Sequence, residues 1–199
     1  MNNHRKVFEY MRVIAGSARR LPLKTPDGID TRPTTDRIKE TLFNILQDDI
    51  YGCRFLDLFS GSGGIGIEAL SRGAAKAFFA ENDRRAADCI RENLRKTRLE
   101  TKGVLLFCEA AGALRQLAAS EAAMDIIFMD PPYNKQLENQ MLEVLRNSPL
   151  ADSHTVIIIE ADLHTDFSFA VDLGYKITRE KLYKTNKHIF LQKMENDKA

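Results

Sequence analysis

A doubly wound α/β domain with a mostly parallel sheet is what this sequence predicts, on three observations. From Phe55 onward, short apolar runs alternate with helix-like stretches. A glycine-rich turn, Gly61-Ser62-Gly63-Gly64-Ile65-Gly66, separates the first run from the first of those helices. An acidic residue, Glu81, follows directly on the second run. Strands that are apolar at nearly every position need cover on both faces, which parallel sheets obtain from their crossover helices. Right-handed crossovers then wind the sheet outward in both directions.

The expected core strands are Phe55–Phe59, Ala77–Ala80, Val104–Phe107, Ile126–Met129 and Val156–Ile159. The helices between them are Ile65–Arg72, Arg84–Arg98, Ala110–Ser120 and Gln136–Arg146. The tail has a different pattern. Gly174–Leu182 and His188–Lys193 read as two strands about a polar turn at Thr185-Asn186, an antiparallel hairpin on the sheet edge. Upstream, Arg12–Ala15 and Leu21–Lys24 read as a small β-hairpin about Gly16-Ser17. Ile38, Leu42, Ile45 and Leu46 then recur at helical spacing, so an amphipathic helix follows Pro33, with Thr34 or Thr35 as its N-cap. This divides the chain into a basic N-terminal hairpin and helix over residues 1–50 and a core over residues 51–199, compact together. Residues 1–10, ahead of a second plausible start at Met11, carry little pattern.

At 199 residues the chain fits one domain with a sizeable core. Its 44% hydrophobic and 29% charged residues are ordinary for a globular protein, which sets aside fibrous and disordered classes. No apolar run approaches the roughly 18 residues of a membrane span, and no signal-peptide pattern opens the chain. Cys53, Cys89 and Cys108 fit neither a zinc pattern nor a disulfide framework, and the four histidines are scattered. No metal and no membrane are expected, and the compartment is a reducing cytoplasm. The net charge of +1 is unevenly spread. Residues 1–26 carry six basic side chains against Glu9, and residues 176–193 carry six against Glu180. Two basic ends about an acidic centre suit a polyanionic partner, or are solvated edges of strands.

Gly61, Gly63 and Gly66 spell G-x-G-x-x-G after a strand and at the start of a helix. Glycines there let the backbone turn tightly and approach a ligand without a Cβ between them. Glu81 then stands where an acid binds ribose hydroxyls. The loop alone fits a nicotinamide dinucleotide as well as S-adenosyl-L-methionine. Asp57, on the strand before Phe59-Ser60-Gly61, favours the second ligand. A carboxylate there suits the cationic amino-acid end of S-adenosylmethionine, whereas an anion beneath a pyrophosphate is unfavourable. Glu109-Ala110, after the third strand, can meet the adenine amino group, although Glu109 could equally cap the following helix.

Asp130-Pro131-Pro132-Tyr133 ends the fourth strand, beside the switch point where open α/β sheets bind their ligands. An exocyclic amine on a nucleic-acid base is a poor nucleophile, because its lone pair is delocalised into the ring. The Asp130 carboxylate and Pro131 carbonyl can each accept a hydrogen bond from that NH₂ and hold the nitrogen near a methyl donor. Pro131 and Pro132 stiffen the turn, and Tyr133 offers a face on which the base can stack. Asp130 either takes the amine proton or only orients the amine.

With both motifs in place, the chain resembles the bacterial 16S rRNA guanine-N2 methyltransferase family of the RsmD type. The resemblance runs from Met11 through Arg12-Val13-Ile14-Ala15-Gly16, Thr31-Arg32-Pro33-Thr34 with Asp36-Arg37, and Leu42-Phe43-Asn44-Ile45-Leu46. It continues through Asp57-Leu58-Phe59-Ser60-Gly61-Ser62-Gly63 and Glu68-Ala69-Leu70-Ser71-Arg72-Gly73 to the Asp-Pro-Pro-Tyr motif. It implies a Rossmann-like class I S-adenosylmethionine-dependent methyltransferase fold, with Glu81 at the ribose, Asn82 beside it and Glu109-Ala110 by the adenine. Asn82 departs from relatives that carry a hydrophobic residue or Lys. The implied substrate is one guanine N2 in 16S rRNA, within the small ribosomal subunit or a late assembly intermediate. The alternative substrate is adenine N6 or cytosine N4 of DNA or another RNA. An oxidoreductase reading lacks a Tyr-x-x-x-Lys helix and leaves Asp130–Tyr133 unexplained. A basic N-terminal platform of Arg12, Arg19 and Arg20 fits recognition of folded RNA through phosphates and shape. Arg32 and Arg37 either join it or brace the cleft.

Overall fold

The computed structural model describes residues 11–26, 36–132 and 136–195. The expected N-cap at Thr34 or Thr35, together with Arg32 and Tyr133, lies outside them. After α1 (Asp36–Ile45) come β1 (Arg54–Asp57), α2 (Gly64–Ser71), β2 (Lys76–Glu81), α3 (Arg84–Thr97) and β3 (Gly103–Phe107). Then follow α4 (Ala110–Ala118), β4 (Ile126–Met129), α5 (Leu137–Arg146), β5 (Val156–Asp162), α6 (Ser168–Asp172), β6 (Tyr175–Leu182) and β7 (Asn186–Lys193). The seven strands form one sheet in the order β3-β2-β1-β4-β5-β7-β6. β1 to β5 pair in parallel, while β7 runs antiparallel to both β5 and β6. This is the doubly wound α/β sheet with an antiparallel edge hairpin that the sequence predicts.

Alternation along the strands sorts side chains to two faces. Leu56, Phe78, Ile127 and Ile159 meet α4, α5 and α6, whereas Phe55, Phe79, Phe128, Ile158 and Phe190 meet α1, α2 and α3. Boundaries move where tertiary pairing overrides local pattern. β5 runs three residues beyond its expected end because Glu160, Ala161 and Asp162 find partners in His188, Lys187 and Asn186. β1 stops at Asp57 because the chain turns into the glycine loop, where Ser60 N donates to Ala80 O at 3.1 Å. α6 lacks a signal in the sequence long enough to mark it.

The N-terminal hairpin is the largest departure. Its expected strands reduce to one bridge, Arg12 with Pro22, and a few backbone bonds such as Val13 N to Leu21 O at 3.0 Å. The reason is competition. Ile14 N and Ala15 N donate to the Glu68 carboxylate at 2.7 and 3.0 Å, and Ser17 N donates to Ser71 O at 2.8 Å. Gly16 permits the last contact: at φ +82° an added Cβ would lie 1.8 Å from Ser71 O. Glu68 is wholly buried on α2 and also holds Arg72 Nε at 2.7 Å and Lys39 Nζ at 3.7 Å. Lys39, 1% exposed on α1, donates to Arg12 O at 2.5 Å. Burial lowers its pKa, against the pull of Glu68 and Asp36. A second tie is Asn93 on α3, which accepts from Lys24 N and donates to Lys24 O and Ser62 O.

Removing one member of a buried ion pair strands the other. Glu68→Ala should therefore cost about 3–5 kcal/mol in urea unfolding, while a Lys39→Met, Glu68→Leu double variant should recover much of that loss.

Candidate active site

The carboxyl ends of β1, β2 and β4 open into a cleft of about 780 Å³, a size typical of small-ligand sites. Its floor is the glycine loop. Gly61 adopts φ +52°, and a Cβ built there would meet nothing within 4 Å, so its open side faces the cleft. Gly63 and Gly66 serve differently. A Cβ on Gly63 would touch Ile90, Ile67 and Phe79, and one on Gly66 would come within 2.3 Å of the Phe79 ring. These two glycines let α2 approach the sheet, and only Gly61 leaves space for a ligand. The loop is fixed by Gly63 N to Ser60 O at 2.7 Å and by Ser60 Oγ to Asp57 O at 2.8 Å. Phe59 is half-buried on the same wall.

Glu81 links the loop to β2. Its carboxylate accepts from Gly61 N at 2.8 Å and Asp83 N at 2.7 Å. Asn82 is exposed at the cleft rim, and Asp83 caps α3 by accepting from Arg85 N and Ala86 N. Glu109 and Ala110 line the far wall. Glu109 holds the N-cap position of α4, but its side chain makes no cap hydrogen bond, which leaves the carboxylate available to the cleft.

Asp57 is the group that best identifies the ligand. It is 1% exposed, its Oδ2 accepts from Gly66 N at 3.2 Å, and its Oδ1 is buried without a hydrogen-bond partner among the described residues. Burial, with Glu81 adding to it, pushes the carboxyl up to about 7 against the Gly66 and Phe59 amides. An unmatched buried oxygen calls for a donor or a cation from the ligand. The ammonium and sulfonium of S-adenosylmethionine meet that need, and a pyrophosphate would not. The donor set therefore fits this cofactor.

Asp130 follows β4 directly and lines the cleft with Pro132, while Pro131 is buried beside them. Burial, then Glu160 and Asp57, raise the Asp130 carboxyl well above the ordinary carboxylate range. The structure thus brings Asp57, Phe59, Ser60, Gly61, Glu81, Asn82, Glu109, Ala110, Asp130 and Pro132 into one cleft. Arg12, Arg19, Arg20 and Arg37 are exposed outside it, with Arg12 ion-paired to Asp36 at 2.7 Å. Sequence reasoning missed several wall residues: Met11, Lys39, Leu137, Gln140 and Met141. Helical spacing from the motif could have flagged Leu137 and Met141, but nothing in the sequence marks Lys39 as buried.

The family model described as conserved hypothetical protein 95 matches residues 11–192. The chain is 37% identical to Bacillus subtilis YlbH over 173 residues, 87% of this chain and 94% of that one. It is 33% identical to ribosomal RNA small subunit methyltransferase D of Escherichia coli over 172 residues, 86% of this chain and 84% of that one. The solved structure of Escherichia coli yhhF superposes with TM-score 0.80 at 29% identity, covering 94% of this chain and 99% of that chain. The matched span, residues 11–192, takes in the N-terminal ties, the glycine loop and the carboxylate cleft. The chain belongs to the conserved hypothetical protein 95 family, the family of ribosomal RNA small subunit methyltransferase D, and is an S-adenosylmethionine-dependent methyltransferase.

Proposed function

We propose that this enzyme methylates the exocyclic N2 of one guanine in 16S rRNA, within the small ribosomal subunit or a late assembly intermediate in the cytoplasm. The observation that carries the reading is Asp130, a half-buried carboxyl at the end of β4 in the same cleft as Asp57 and the glycine loop. S-adenosylmethionine supplies a methyl group activated by the sulfonium. Asp57 and Glu81 hold the donor, and Asp130 with the Pro131 carbonyl accepts hydrogen bonds from the target NH₂. Tyr133 continues the motif and offers the base a stacking face. The base must leave its helix to reach the cleft. Residues 1–50 form the RNA-contacting extension, with Arg12, Arg19, Arg20, Arg32 and Arg37 toward phosphates. The names of the relatives support rRNA as substrate.

The direct test offers labelled S-adenosylmethionine and small subunits from cells lacking this gene, with naked rRNA and DNA in parallel. N2-methylguanosine from the subunit sample is the expected product. Methyladenine or methylcytosine, or label in DNA alone, would replace the substrate and retain the cofactor. Asp130→Ala should lower kcat by about 10²–10⁴-fold with cofactor affinity largely unchanged. Changing Arg12, Arg19 and Arg20 together to Ala should weaken RNA binding and reduce its log–log salt slope by about 2–3.

The pH dependence follows from Asp57. Its folded value, about 7, lies above the ordinary 3.8. The carboxyl therefore favours the fold most below about 3.8 and loses that contribution as pH rises through about 7. Binding of a cation favours the ionised form, so cofactor affinity should rise between about pH 6 and 8 with proton release. Calorimetry in buffers of different ionisation enthalpy reads that release, and Asp57→Asn should flatten the rise.

A further inference from the structure

Behind Asp130 lies a buried polar chain that neither cofactor binding nor base stacking uses. Met129 pairs with Ile159 across β4 and β5, so the next residues, Asp130 and Glu160, stand side by side. Neighbouring strands are only about 4.8 Å apart. Alternation places both on the face of Phe128 and Ile158, where β7 adds His188 directly opposite Glu160. Glu160 is 6% exposed and His188 is fully buried, its ring edge-on to Phe128 at 6.0 Å. Glu160 Oε1 accepts from Asn186 Nδ2, and Oε2 lies 3.1 Å from His188 Nε2. The other imidazole nitrogen, Nδ1, is 3.1 Å from Tyr183 OH.

Donor and acceptor roles along this chain follow from the tautomer of His188. Burial and Glu160 push the Tyr183 hydroxyl up to about 12, so it keeps its proton and is the donor to His188 Nδ1 in the tautomer whose Nε2–H faces Glu160. His188 Nε2 then carries the ring proton and donates to Glu160. With donors on both oxygens, Glu160 is the acceptor carboxylate of the pair. Two carboxylates on adjacent strand ends resist bearing charge together, and the one without such donors is the one that takes a proton.

We propose that Glu160, clamped by Asn186 and by the Tyr183–His188 chain, is the positioning residue that makes Asp130 the acceptor of the proton lost by the target amine. The inference rests on the amino-methyltransferase reading above. As the amine nitrogen bonds to the methyl carbon, the carbon–sulfur bond breaks and sulfur keeps its electron pair. The nitrogen, now positive, gives one proton to ionised Asp130, which leaves neutral S-adenosylhomocysteine and a neutral methylamino base. Asp130 then returns the proton to water through the open cleft. Among the described residues, the other charged groups lining the cleft with Asp130 are Asp57 from β1, Glu81 from β2, Asp83 ahead of α3, Glu109 ahead of α4 and Lys39 from α1. Lys39 is already committed to Glu68 and Arg12 O, so the uncompensated neighbours are acidic. Of these, Asp57 adds to the effect of Glu160 on Asp130.

The test is the pH profile of kcat for wild type, Glu160→Gln and Asp130→Asn. In Glu160→Gln the acid limb should move at least about one unit lower, because a like charge has gone, and kcat on the plateau should fall about tenfold as the base weakens. Added to Asp130→Asn, the same change should cause no further loss, since Glu160 acts through Asp130. An unshifted acid limb, or an additive loss in the double variant, would overturn the proposal and reduce Glu160 to a packing role. If Glu160→Gln fails to fold, Tyr183→Phe tests the chain from its far end, and a smaller shift in the same direction is expected. No shift there overturns the proposal. A carboxyl-carbon NMR titration of Asp130 reads the effect without turnover, so failure of the relay stays distinct from failure to methylate any amine.

Discussion

Asp57, Asp130 and Glu160 stand near the carboxyl ends of three neighbouring strands, Asp57 and Glu160 buried and Asp130 half-buried at the cleft. Their crowding is the constraint on which the site depends. A carboxyl that cannot ionise freely represents stored demand for positive charge. The fold meets that demand differently at each position. Glu160 is satisfied within the protein by Asn186 and His188. Asp57 has one oxygen on Gly66 N and the other unmatched. Asp130 has the cleft. The three carboxyls thus grade from a closed structural site at β5 to an open chemical one at β4, one strand away.

That grading explains the choice of ligand. A cofactor carrying ammonium and sulfonium charges suits a cleft lined mainly by carboxylates, and its binding would favour their ionised forms. The charge that makes the methyl transferable is the same charge that would favour the ionised forms of Asp57 and Asp130, whose pKa burial raises. After transfer the sulfonium charge is gone, and the attraction that held the cofactor weakens with it.

Much of this was legible in the sequence because the chemistry there is local. Strands β1 to β4 declare themselves by apolar runs, and the glycine loop and Asp130-Pro131-Pro132 are contiguous. What the sequence concealed depends on contacts between distant segments. Lys39 is a lysine on an exposed-looking helix, and its burial follows only from Glu68, 29 positions away. The N-terminal strands dissolve because Glu68 and Ser71 take the amides that strand pairing would use. His188 reads as one scattered histidine until antiparallel pairing sets it opposite Glu160. Even the glycines divide by tertiary context, Gly61 toward ligand space and Gly66 against Phe79.

The N-terminal arm and the cofactor loop share their supports, which bears on how RNA and donor are brought together. Met11 lies against Gly64, where an added Cβ would come within 2.3 Å of its sulfur, and its sulfur also accepts from Ser62 Oγ at 3.6 Å. Asn93 joins Lys24 to Ser62 O, so the far end of the arm is tied to the same loop. The arm has almost no strand pairing of its own, so its position is set by α2, α3 and the loop. On the proposed reading, arginines of the arm placed on phosphates would be referenced to the backbone of the glycine loop. On the same reading, a base extruded beside those phosphates would reach Asp130 across a cleft whose floor is hydrogen-bonded to the arm. Precise placement of a weak nucleophile needs such mutual support, because positioning is the main source of rate in such a transfer.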